Sequence, residues 1–181
     1  MSYKHEELDR LEDNGYVIRI LVDPEPMRPD EYNDDDSIFL VGFHRDFYIS
    51  TKEIKKPEDI KGWSKTHHVL ALNAYIHSGV MLSISAFSDK WDSGQLGYVL
   101  VKRLACWKTR KKAEFAARSL VDTWNKYLNG GFCGFIIEDK SGNHIDSCWG
   151  FDDQLDCLHE AKNAIESAVK RDRECYNACA F

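Results

Sequence analysis

The chain has 181 residues, of which 43% are hydrophobic and 12% aromatic. This is enough for one domain with a buried core, and it excludes a disordered polymer. No apolar run reaches the roughly 20 residues of a membrane-spanning helix. The net charge of −6 is unevenly spread: residues 1–36 hold twelve acids against four bases, residues 37–181 eighteen acids against twenty bases.

Residues 1–36 therefore read as an acidic N-terminal segment, and 37–181 as a single α+β domain. The polar start, Met1 to Glu7, is unlike a secretory signal, so the expected location is the cytosol of the host cell, with no membrane partner. Glu6 to Glu12 reads as a short helix and Tyr16 to Val22 as a strand. Pro24, Pro26 and Pro29 mark an extended loop that ends in the knot Asp34-Asp35-Asp36. That knot is either solvated surface or an acidic face for a basic, nucleic-acid-binding partner.

Ile38 to Phe43 is an apolar run of strand length, and Pro57 suits the first position of a helical turn. Val69 to Ile76 and Val80 to Ser85 predict a hairpin around Ser78-Gly79; Gly97 to Val101 predicts another strand. A helix capped by Thr109 places Ala113, Ala116, Ala117, Leu120, Val121, Trp124 and Leu128 on one stripe and stops at Gly130-Gly131. Phe132 to Glu138 and His144 to Phe151 predict a second hairpin about Asp139 to Asn143. A last helix over about 153–176 carries Leu155, Leu158, Ala161, Ile165, Ala168 and Val169. The expected fold is an antiparallel sheet built from hairpins, with two long amphipathic helices packed on one face.

Several constellations carry chemistry. His77, Asp92 and Ser93 would suit hydrolysis if they converged, although no Gly-x-Ser-x-Gly elbow is present. His144 and Asp146, two apart on a strand, form an acid–base pair or decorate a solvent face. Lys102, Arg103, Lys108, Arg110, Lys111 and Lys112 form a basic run with no acid between them. This run suits a nucleic-acid backbone, and the interleaved Trp107 either stacks on a base or packs into the core. Its position at a helix N-terminus opposes the macrodipole, so helix stability does not explain it. Phosphate-binding glycine motifs are absent. The six cysteines read as free thiols. Cys157, Cys175 and Cys179 with His159 lack the paired spacing of a zinc site, and neither metal nor cofactor is expected.

The densest motif is His77-Ser78-Gly79 followed by Trp91-Asp92-Ser93-Gly94-Gln95-x-Gly97. Its glycines suit tight backbone geometry, Asp92 and Ser93 suit turn hydrogen bonds, and Phe87 and Trp91 are expected to anchor the loop to the core. With Tyr75, Ser83-x-Ser85, Phe135 to Asp139 and Asp146 to Phe151, the motif resembles a group of small, mostly uncharacterised proteins of bacteriophages and mobile elements. The similarity covers roughly residues 69–151. It departs at Ser88-Asp89-Lys90, where a Cys-Pro pair often precedes the Trp. The resemblance implies a non-enzymatic protein that antagonises host defence, such as an anti-CRISPR protein. Its partner would then be a host protein or ribonucleoprotein complex of the Cas9 type, bound through charge.

Overall fold

The computed structural model describes residues 6–31, 37–44, 49, 54 and 56–179, with side chains described as far as residue 171. In chain order its elements are β1 (Glu7–Asp13), β2 (Tyr16–Val22), β3 (Ile38–Gly42), α1 (Ile60–Trp63), β4 (His67–His77), β5 (Gly79–Ser83), β6 (Ser93–Lys102), α2 (Arg110–Leu128), β7 (Cys133–Asp139), β8 (His144–Phe151) and α3 (Gln154–Cys179). The fold is α+β with antiparallel sheets and three helices among the described residues. No described helix is long and apolar enough to cross a membrane.

The chain forms two compact units. The first combines residues up to Pro26 with those from Gly130 onward. Its sheet is the meander β1-β2-β7-β8. Asn14 and Gly15 join β1 to β2 with φ of 49° and 86°, the pair of positive angles that a two-residue hairpin turn requires. Strand β2 then pairs along its whole length with β7, from Tyr16 opposite Asp139 to Val22 opposite Cys133. At the next turn the Asp139 carboxylate accepts from the amides of Ser141 and Asn143 and from the Asn143 side chain, which holds its pKa below the usual range. Asp153 caps α3 by accepting from the Leu155 and Asp156 amides at 2.7 and 3.2 Å. The core sets Ile18, Ile20, Cys133, Phe135 and Ile137 of the sheet against Cys157, Ala161 and Ile165 of α3.

The second unit, Met27 to Asn129, has the sheet order β3-β6-β4-β5. Helix α2 begins at Thr109, whose side chain accepts from the Lys112 amide. Its buried stripe Ala113, Ala117, Val121 and Trp124 covers one sheet face, against Leu40, Leu70, Leu72, Val99 and Val101. The opposite face carries Phe39, Val41 and Leu100, with Ile60 and Trp63 of α1 over them. Burial on both faces explains why β3 is a continuous apolar run rather than an alternating one.

Two expectations need correction. Residues Glu6 to Glu12 are not a helix. Glu7–Asp13 form strand β1 instead, because the Asn14-Gly15 turn folds them onto β2 and Arg19 pairs with Glu7 at 2.7 Å. The two long helices do not share one face of one sheet. Helix α2 packs on β3, β4, β5 and β6, and α3 packs on β2, β7 and β8. The reason is long-range pairing: β2 skips the next four strands to join β7, so the hairpins sort into two sheets.

Candidate functional site

The motif loop is braced from within. His77 ends β4, Ser78 makes the turn and Gly79 opens β5. The Asp89 carboxylate accepts from the amides of Trp91 and Asp92 at 2.7 and 3.2 Å, and the Ser93 hydroxyl donates to the Asp89 carbonyl. The Ile76 amide donates to the Asp92 carbonyl at 2.8 Å, tying the loop back to β4. Phe87 meets the Tyr75 ring at 5.9 Å and is half-buried, as an anchor should be. Trp91 is not an anchor: it is 96% exposed, because the Asp89 turn aims it away from the core.

Of the three residues suited to hydrolysis, the structure brings two together. His77 Nδ1 lies 3.1 Å from Asp92 Oδ2. Ser93 does not join them, since its hydroxyl is committed to Asp89. Two open cavities adjoin the loop. One, of about 330 Å³, is lined by residues that include His44, Trp91, Asp92, Ser93, Gly94 and Gln95. The other, of about 310 Å³, is lined by Phe43, Pro57 and Tyr98 and shares His44, Gln95 and Leu96. The Gln95 side-chain amide donates to the Gly97 carbonyl at 3.2 Å.

The basic run begins at the end of β6 with Lys102, passes through Arg103 and Lys108, and enters the first turn of α2 as Arg110, Lys111 and Lys112. All six side chains are exposed. Only Arg110 pairs with a carboxylate among the described residues, that of Glu114 at 3.0 Å, itself an exposed contact of little energetic weight. Trp107 does not face outward with them. It is half-buried on the second unit's core, and its carbonyl lies 3.0 Å from His68 Nε2. Two cations of the run act inward on a buried group: His67 has a lowered pKa, first from burial and then from Lys102, with Arg103 adding a smaller push.

One exposed residue beside this run is not among those that motif and charge single out. Phe115 is 78% exposed on α2, three and four positions after Lys112 and Lys111. The signal is present in the sequence, because Phe115 falls off the apolar stripe that identifies the helix.

The remaining candidates divide. Asp34, Asp35 and Asp36 lie outside the described residues. His144 and Asp146 are exposed on β8, and the Asp146 carboxylate accepts from the Ser147 amide. The zinc combination includes Cys175 and Cys179, whose side chains lie outside the described residues. Cys133 and Cys157 are buried thiols of the first unit's core, while Cys106 and Cys148 are exposed. Burial, then the neighbouring Cys133, pushes the Cys157 thiol up to about 12. An alkylating agent applied to the native protein is therefore expected to modify Cys106 and Cys148, and to reach Cys133 and Cys157 only in denaturant. Peptide mass mapping checks this; native labelling of Cys157 as fast as Cys148 would contradict it.

Comparison with known proteins adds no relative: no family model, no curated protein and no solved structure matches the chain.

Proposed function

We propose that this chain is a non-enzymatic interaction protein that inhibits a host nucleic-acid-directed defence complex, as the phage-borne proteins it resembles would. The observation that supports the reading is the exposed cluster Lys102, Arg103, Lys108, Arg110, Lys111 and Lys112, which has one carboxylate partner among the described residues. Six cations in eleven residues repel one another, and the last three sit in the first turn of a helix, which disfavours positive charge. Neutralisation by a polyanion relieves both costs. A guide–target complex of the Cas9 type offers that polyanion in its nucleic acid. The acidic knot Asp34 to Asp36 would address the positive channel of the same complex. Against the hydrolase reading stands the Ser93 hydroxyl, which is turned to a backbone carbonyl rather than to His77.

The test is a target-cleavage assay with a Cas9-type nuclease loaded with guide RNA. The wild-type chain is expected to slow cleavage, and K108E/K111E/K112E to lose most of that effect. D34K/D35K/D36K is the second arm. If cleavage proceeds unhindered with the wild-type chain, or if both reversals inhibit as well as wild type, the reading fails.

A further inference from the structure

We propose that Phe115 and the cations around it on α2 form a platform for single-stranded nucleic acid, with a base stacked on the phenyl ring and the backbone held by Lys111, Lys112 and Arg118. This rests on reading the basic segment as a polyanion contact, and it names the form of the polyanion.

Folding does not account for Phe115. Helix α2 meets its sheet through Ala113, Ala117, Val121 and Trp124, and Phe115 lies off that stripe, with 78% of its surface in water. Phe is also a weaker helix former than Leu, Lys or Arg, which would serve an exposed position better. Aromatic side chains, Phe among them, are enriched where a surface meets a partner.

Its neighbours say what it anchors. Lys111 and Lys112 stand four and three residues before it, and Arg118 three residues after, so all flank the ring on one helix surface. All three cations are exposed. The span from Lys111 to Arg118 is about 10 Å along the axis. Cations alone would take duplex, single strand or an acidic protein alike. The ring selects among them: in a duplex the base faces are covered by their neighbours, whereas a single strand offers each face for stacking. Trp107, the aromatic interleaved in the run itself, is committed to the core, which leaves Phe115 as the exposed ring beside it.

Fluorescence anisotropy with a labelled short oligothymidine, and with a mixed-sequence duplex of equal length, tests this across a salt series. The wild-type chain is expected to bind the single strand more tightly. Phe115→Ala should weaken single-strand binding about 5- to 100-fold, with the salt slope unchanged because no charge is removed. Phe115→Trp should restore it. Lys111→Glu with Lys112→Glu should weaken both ligands and flatten the single-strand salt slope by about 0.7 per phosphate no longer neutralised. Phe115 is exposed, so its variants should keep the wild-type melting temperature. Wild-type affinity in Phe115→Ala, equal binding of the duplex, or binding to phosphatidylserine vesicles in place of oligothymidine would each overturn the platform. If Phe115→Ala changes nothing while the lysine variant loses affinity, the platform falls and the polyanion contact of the basic segment stands. If the lysine variant binds as wild type, the polyanion contact itself falls.

Discussion

Gly97→Ala is expected to destabilise the sheet of residues 27–129 strongly. Gly97 sits in β6, between β3 and β4, opposite Gly42 on one side and Leu72 on the other. A methyl group there would fall onto the Val41 carbonyl oxygen and lie 2.9 Å from the Gly42 Cα. Overpacking ordinarily costs about 1–3 kcal/mol because side chains shift to make room. Here the obstacle is the backbone of a paired strand, which cannot move without breaking the ladder. The loss should therefore be about 3 kcal/mol or more. Two controls separate this effect from glycine replacement in general. Gly42→Ala meets Ile49 Cγ1 at 2.7 Å, a buried side chain that must shift rather than a paired backbone, so its cost should be smaller, about 1–3 kcal/mol. Gly62→Ala meets nothing and lies in α1, so it should be neutral or slightly stabilising. Denaturant midpoints rank the three variants, and a wild-type midpoint for Gly97→Ala would refute the clash.

Asn125→Ala should produce the second large loss. Strand β5 is the edge of its sheet, and an edge strand leaves amides and carbonyls without ladder partners. Helix α2 supplies them. Asn125 Oδ1 accepts from the Leu82 amide at 2.7 Å, and Asn125 Nδ2 donates to the Leu82 carbonyl at 2.9 Å. One turn later Asn129 Nδ2 donates to the Val80 carbonyl at 2.9 Å. Leu82 itself is buried, so water does not readily replace the lost amide. Leaving two such groups unsatisfied costs about 1–3 kcal/mol each, or about 2–6 kcal/mol together. Hydrogen exchange at the Leu82 amide reads this directly. It should accelerate in Asn125→Ala by at least the factor that the global destabilisation implies, and unchanged protection would contradict the role given to Asn125.

What the sequence disclosed was mostly local. The hairpin β4–β5, the cap at Thr109 and the stripe of α2 rest on contacts within a few residues, where turn chemistry and periodicity speak directly. The β1–β2 hairpin also has a local signal, Asn14-Gly15, but Leu8 and Leu11 among acids compete with it by suggesting a helix turn. Sheet membership is not legible. Nothing within β2 states that its partner is Cys133–Asp139 rather than a nearer strand, since both choices satisfy the same pattern of apolar residues. The site divides in the same way. The exposure of the basic run follows from its charges. The opposite fates of Trp91 and Trp107 do not follow from residue type: a carboxylate turn sends one into water, and a short turn ahead of α2 tucks the other against the core.

The pairing of β2 with β7 has a consequence for biosynthesis. Residues 27–129 contain all the strands and helices of their own unit, so they are complete while the ribosome is still translating β7, β8 and α3. The first hairpin emerges earliest but finishes last. Until Cys133–Asp139 appear, β2 exposes an unpaired apolar border to the crowded cell. That interval, rather than the finished molecule, is when a holdase chaperone has most to protect.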